Sequence, residues 1–194
     1  MAERTIRPLS MQTWDAFEAL ATKHNGVWGG CWDAYFHPVR EDRETNPGGA
    51  KDYKRRLVEA GLAHSALVFE DDAAIAWCQY GTPQEVPRIQ KKRFVEVEGY
   101  VPPTFRVVCF FVDRDHRRGG VAGDALSGAL SLIAAAGGGV VEGYPHDTRG
   151  KKTSASFLYS ATRSLFERAG FDFVRSVGKD RALMRTTVPP SKAG

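Results

Sequence analysis

Residues 105–112 read Phe-Arg-Val-Val-Cys-Phe-Phe-Val, an almost unbroken apolar run that ends in a charged turn and then the pair Gly119-Gly120. A short apolar run bounded by charge is the mark of a strand buried on both faces. The turn itself is Asp113-Arg114-Asp115-His116-Arg117-Arg118. After it, Val121, Ala125, Leu126, Ala129, Leu130 and Ile133 recur at helical spacing and predict a helix over 120–136 with one buried side. A strand covered on both faces needs packing layers above and below it. The first turn of a helix offers free backbone N–H groups and partial positive charge. Glycines there admit phosphate oxygens to the backbone, and three arginines stand beside it. The element has the chemistry of a pyrophosphate cradle.

The rest of the chain supplies the layers. Residues 5–9 predict a first strand, with Ser10 as N-cap of a helix reaching about residue 22 on the stripe Trp14, Phe17, Leu20 and Ala21. An aromatic, Gly-rich turn spans 25–32, and the polar segment 37–51 reads as a loop. A helix over 52–60 stops at Gly61. Residues 65–70 and 73–80 flank Asp71-Asp72 as a hairpin. The Pro-rich segment 82–103, with the basic cluster Gln90-Lys91-Lys92-Arg93, reads as a long loop holding a short strand at 94–97. A strand over 140–144, a helix over 160–169 closed by Gly170, and a hairpin of 171–177 with 182–187 complete the order. The expected organisation is one domain over 1–187 and a frayed tail over 188–194.

At 194 residues, with 42% hydrophobic and 26% charged residues, the chain is long enough for one core and too apolar to be disordered. The weakly polar stretch 129–141 is too short and Gly-rich to span a bilayer. Residues 1–10 hold no apolar block ahead of a cleavage site, so the expected location is the cytoplasm, with no membrane partner. Cys31, Cys78 and Cys109 share no metal-like spacing, and the expectation is no metal and no disulfide framework. The formal charge of +4 is compatible with an anionic ligand. Arg88, Lys91, Lys92, Arg93 and the run 149–152 are basic, but no aromatic platform or zinc spacing accompanies them, so no nucleic-acid partner is expected.

Among nucleotide-binding patterns, the Walker string is absent. Glu142 lies about 20 residues past the glycines, as in a dinucleotide fold. The string Gly119-Gly120-Val121-Ala122-Gly123 is nevertheless not G-x-G-x-x-G, and the turn before it is too long and charged. Instead, Arg117-x-x-Gly120-x-Ala122 after a hydrophobic strand resembles motif A of the GNAT superfamily, the acyl-CoA-dependent N-acetyltransferases. The ending Leu165-Phe166-Glu167-Arg168-Ala169-Gly170-Phe171 is similar to the Gly-Phe pair that closes a later helix there. The order of elements is also GNAT-like across residues 5–187. Gly29-Gly30-Cys31-Trp32 with Tyr35, Phe36 and His37 resembles a bacterial GNAT subgroup.

The resemblance implies an α+β fold: a central mixed, mostly antiparallel sheet, about four flanking helices, and a splayed parallel strand pair at the cofactor site. It implies acetyl-CoA as cosubstrate and direct transfer to a primary amine of a small molecule or protein, with a homodimer left open. Phe110, Phe111 and Val112 would line the pantetheine arm, and Arg117, Arg118, Gly119, Gly120, Val121 and Ala122 the pyrophosphate. A backbone N–H near Phe111 would polarise the thioester carbonyl, a kind of contact worth roughly 3–4 kcal/mol in a transition state. The sequence departs from the family at two places. Phe166 stands where many members carry an acidic Tyr, and Arg106 where many carry a basic carboxylate. Tyr159, placed two helical turns before Phe166, becomes the candidate acid and Glu142 the candidate base. Trp32, Tyr35 and His37 become the candidate wall of the acceptor pocket. The alternative is a GNAT-fold module that binds acyl-CoA with little or no catalysis.

Overall fold

The computed structural model describes residues 3–23, 30–38, 48–89, 95–148 and 159–191. Among the described residues seven strands form one sheet: β1 (Arg4–Pro8), β2 (His64–Glu70), β3 (Ala73–Gly81), β4 (Phe105–Val112), β5 (Gly139–Gly143), β6 (Asp172–Val177) and β7 (Arg181–Val188). Their spatial order is β1-β2-β3-β4-β5-β7-β6, and every pair is antiparallel except β4 with β5. The helices are α1 (Trp14–Thr22), α2 (Gly49–Glu59), α3 (Val121–Ala135) and α4 (Arg163–Arg168). This is the mixed, mostly antiparallel α+β architecture expected from the sequence, and it excludes a parallel dinucleotide fold.

Strand alternation assigns each face a separate core. On one side, α3 lays Val121, Ala125, Leu126, Ala129 and Ile133 against Val68, Ala76, Val107, Phe110 and Val141. Full burial of each large side chain among these contributes about 1.5–3 kcal/mol. On the other side, Trp14, Phe17 and Leu20 of α1 and Val58 of α2 pack on Leu67, Phe69 and Trp77. A third cluster brings together Phe36, Val86, Val108, Cys109, Tyr144, Val177 and Leu183. Asp71 turns the β2–β3 hairpin at a φ of 52°, in the left-handed region that Asp tolerates.

The site is set by how little β4 and β5 pair. Their ladder covers only Phe105↔Val141, Arg106↔Glu142 and Val107↔Gly143. Where it stops, the β3–β4 ladder also shifts register, between Gln79 and Tyr80, so Val108 is an extra residue. Beyond that bulge β4 runs on to Val112 and β5 diverges. Phe166 packs so tightly on Gly143 that any Cβ there would overlap its ring, so glycine is the residue that lets β5 lie over α4.

Several boundaries differ from the sequence reading. The helix expected from Ser10 begins at Trp14, because Ser10 and Thr13 close a turn instead: Thr13 N–H donates to Ser10 O at 3.1 Å. Helix α2 starts at Gly49, inside the segment read as loop. No strand forms over Val95–Val97, and Phe94 lies outside the described residues, as do Gln90–Arg93 and 149–152. Helix α4 starts at Arg163, three residues late, because Ala161 adopts a φ of 56° and Thr162 is extended. Residues 160–162 instead lie along the segment after β5, with His146 N–H on Ala161 O and Arg163 N–H on His146 O. At the C-terminal end, Val188 still pairs with Gly139, and Ser191 N–H donates to Ala134 O at 2.9 Å.

Candidate active site

The turn after β4 is buried and hydrogen-bonded at its base and exposed at its tip. Asp113 is buried and accepts from Asp115 N–H, capping a single 3-10 turn over Arg114–His116, and Lys23 ion-pairs with it. Arg117, Arg118, Gly119 and Gly120 are exposed. Arg118 and Gly120 take φ values of 68° and 80°, so two left-handed residues swing the chain into α3. No side chain caps that helix, and a Cβ on Gly120 would meet open space. The acid in the first turn, Asp124, is neutralised by Arg4 at 2.7 Å, and Arg4 also donates to Gly119 O. The opening therefore keeps its N–H donors and its positive character, which suits a pyrophosphate. A groove of about 240 Å³ leads away between α3 and α4, lined by Gly123, Leu126, Ser127, Leu130 and Leu165.

The open edge of β4 corrects one expected role. Asp113 N–H donates to Ile75 O on β3, and Phe111 lies opposite Trp77 in the same register. Alternation thus turns the Phe111 N–H toward β3, away from the splay, so Phe111 is not the thioester donor. Phe110 and Val112 present their N–H groups to the splay. That of Phe110 is donated to Tyr159 O at 2.6 Å, which leaves Val112 as the backbone donor aimed at the opening.

Glu142 and Tyr144 do share a face, the one opposite α3 and α4. Glu142 is wholly buried and saturated: Oε1 accepts from Tyr100 at 2.8 Å and Tyr144 at 2.6 Å, and Oε2 from Arg185 at 2.7 Å. A carboxylate holding three donors is poorly placed to take a proton from a substrate, so the base role fails on coordination. Burial, and next the Glu142 charge, push the Tyr144 hydroxyl well above its ordinary value. Phe166 is core, edge-on to Phe110 and Phe171. Arg106 is also buried and donates to Val86 O and Pro87 O, anchoring the long loop.

Tyr159 sits on a turn before α4, not on the helix, so its relation to Phe166 is not one of helical spacing. It reaches the splay by its carbonyl on Phe110, and its hydroxyl accepts from Arg181 at 2.8 Å.

The three expected wall residues separate. Trp32 stacks on Trp14 at 6.4 Å and belongs to the α1 core. Tyr35 is exposed, with the Arg88 guanidinium 4.3 Å from its ring. His37 is buried in a polar cluster with Asp33, Lys54, Ser65 and Gln79. Its Nδ1 lies 2.9 Å from Glu85 O, and a carbonyl only accepts, so Nδ1 bears the proton. Nε2 then accepts from Lys54 at 3.2 Å and Gln79 at 3.0 Å. Burial first, then the Lys54 charge, lower its pKa to about 2. His37 therefore fastens the 30–38 segment to the sheet and takes no part as a titrating pocket residue.

That depressed pKa fixes a pH dependence. The native state keeps His37 neutral while the unfolded chain protonates it below about pH 6.5, so stability present at pH 8 is lost as pH falls. Between pH 8 and pH 5 the loss through this residue is about 2 kcal/mol. Urea unfolding at the two pH values should show the wild type losing that much more than His37→Gln. Equal pH dependence in the two proteins would contradict the neutral assignment.

Sequence reading missed Lys54, Gln79, Arg181, Arg185 and Tyr100 as members of these networks. A signal existed for Lys54 alone, which stands four residues before the buried Val58 on the inward side of α2. Among the described residues no group of three or more His, Cys, Asp and Glu is placed to hold a metal, and no helix is long and apolar enough to cross a membrane. All three cysteines are unbridged.

No family model matches the chain, and no curated protein matches it in sequence. Its fold does match solved structures. The PaiA N-acetyltransferase of Thermoplasma acidophilum, solved in complex with coenzyme A, aligns over 95% of this chain and 99% of its own, at 14% identity and a TM-score of 0.52. An N-acetyltransferase from Staphylococcus aureus Mu50 aligns over 96% and 99%, at 12% identity and 0.52. A GNAT-family acetyltransferase from Streptococcus pneumoniae aligns over 96% and 99%, at 13% identity and 0.51. The fold is that of the GNAT superfamily.

Proposed function

We propose that this chain, which has the GNAT fold, is an N-acetyltransferase that moves an acetyl group from acetyl-CoA directly to a primary amine of a small molecule or protein. One observation carries the reading. The uncapped N-terminus of α3, opened by Gly120 in the left-handed region and ringed by exposed Arg117 and Arg118, stands beside the splay of the sheet's parallel pair. The N–H groups of Gly119 to Ala122 and the two guanidinium groups hold the pyrophosphate, and the groove between α3 and α4 takes the apolar length behind it. When bound, acetyl-CoA supplies an activated acyl carbon and a thiolate leaving group. Val112 N–H polarises the thioester carbonyl, and the Tyr159 hydroxyl gives a proton to the departing sulphur. With Glu142 saturated, the amine gives its proton to solvent. That the Thermoplasma protein binds coenzyme A supports the cosubstrate. A cytoplasmic setting with no nucleic-acid partner belongs to the same reading.

Thermal unfolding with acetyl-CoA, CoA and NADH tests it. At 100 times the dissociation constant a ligand adds about 2.7 kcal/mol, or roughly 5–11 °C for a domain of this size. The expected result is a shift with both CoA species and none with NADH, followed by thiol release when amines are added. No shift with either CoA species removes the reading.

A second reading, acyl-CoA binding with little or no catalysis, is favoured by two observations. Phe166 is sealed in the core, and Tyr159 O already engages the β4 edge at Phe110. Tight binding without thiol release from any amine would select it.

A further inference from the structure

Arg181 opens β7 and is 95% buried, with a relative exposure of 5%. Its backbone is locked to the segment after β5: it bridges His146, and Ala182 N–H donates to Pro145 O at 3.0 Å. Its side chain reaches two oxygens. Nη1 donates to Tyr144 O at 3.2 Å and Nη2 to Tyr159 Oη at 2.8 Å, with the guanidinium carbon 5.3 Å from the Tyr159 ring centroid. Both oxygens are neutral. A buried cation without an anionic partner carries a desolvation cost, which negative charge developing within its reach would offset. One of the two acceptors is the phenol of Tyr159, whose backbone carbonyl accepts from Phe110 N–H on the open edge of β4.

We propose that Arg181 is a positioning residue for acyl transfer, holding the Tyr159 hydroxyl at the β4–β5 opening and stabilising the oxyanion left there when its proton departs. The assignment rests on the acetyltransferase reading. Tyr159 is fixed at two points, by its carbonyl on Phe110 N–H and by its hydroxyl on Arg181. A guanidinium only donates, so the phenol's own proton is not spent on it. In the transfer step the amine lone pair forms the N–C bond and the C–S pair leaves on sulphur. The Tyr159 proton moves to that sulphur to give the free thiol. The phenolate is held by Arg181 until the proton released by the new ammonium, passed through water, restores it.

The test is a double-mutant cycle on thiol release from acetyl-CoA, using the fastest acceptor among tyramine, spermidine and an alanyl peptide. The proteins are the wild type, Tyr159→Phe, Arg181→Met and the double variant. Each single change should lower kcat on the order of 100-fold, with KM for acetyl-CoA unchanged. The double variant should be no slower than Tyr159→Phe, because Arg181 acts through that hydroxyl. Arg181→Lys, which keeps the charge without the planar fork, should recover part of the rate. If Arg181→Met does not fold, the same cycle run with Arg181→Lys decides. Losses that multiply, or an unchanged kcat in the arginine variants, overturn the assignment while leaving acetyl transfer standing. A wild type that neither shifts with acetyl-CoA nor releases thiol refutes the transfer reading itself, and the assignment falls with it.

Discussion

Exchange of Glu142 for alanine is expected to lower the unfolding free energy by about 3–5 kcal/mol, the range for stripping one partner from a buried ion pair. The carboxylate is fully buried and is the acceptor for Tyr100, Tyr144 and Arg185 together. Alanine leaves two hydroxyls and a guanidinium to find other partners where Tyr144 has almost no access to water. It also loosens β5 beside the splay, at the register pair Arg106↔Glu142. In a scanning melt the loss is on the order of 10 °C. Glu142→Gln keeps the volume and one acceptor oxygen and should cost distinctly less. Adding Arg185→Met to the alanine variant should recover part of the loss, because the stranded charge is removed. A Glu142→Ala protein as stable as the wild type would show that water satisfies this network.

Lys54→Met should be of similar size, about 3–5 kcal/mol at pH 7, and its cost should depend on pH. The ammonium and Asp33 are both buried, 3.3 Å apart. Burial already raises the Asp33 pKa, and Lys54 is the strongest influence opposing that rise. Without Lys54 the folded-state pKa rises further. A raised carboxyl pKa costs stability above the unfolded value near 3.9, and that cost grows with pH until the folded value is passed. The penalty should therefore shrink as pH falls toward that unfolded value, below which Asp33 is protonated in both states. His37 acts in the same direction, since the cation that helps hold it neutral is gone. Urea unfolding of wild type and variant at pH 4.5 and pH 7.5 measures this, and adding Asp33→Asn should restore much of the stability at the higher pH. A penalty independent of pH would mean that Lys54 contributes through packing alone.

These two sites mark where sequence reading stopped. Glu142 and Tyr144 could be assigned to one face from strand alternation, but not the three donors, since Tyr100 and Arg185 come from 42 and 43 residues away. The cluster around Lys54 gathers α2, β2, β3 and the segment after the aromatic turn, with sequence separations from 17 to 46. His37 beside Pro38 reads as a loop residue, and only packing makes it a buried acceptor. Sequence reading starts the helix at residue 160 and so sets Tyr159 two helical turns before Phe166. Ala161 in the left-handed region breaks that helix, and the hydrogen bonds that compensate come from His146.

What the sequence determined by itself are the features whose information is local. The apolar run of β4, the glycines that open α3, the stripe along that helix and the Asp71 turn each follow from residues within a few positions of one another. Hydrophobic periodicity and backbone preference act at that range, and together they place β4, α3 and the glycine turn between them. The tertiary structure alone decided the side-chain roles around the splay: that Phe111 N–H faces β3, that Glu142 is saturated, that His37 is locked neutral, and that Arg181 grips Tyr159. Such roles depend on register and on burial of charge between distant segments, and a single chain's local pattern encodes neither.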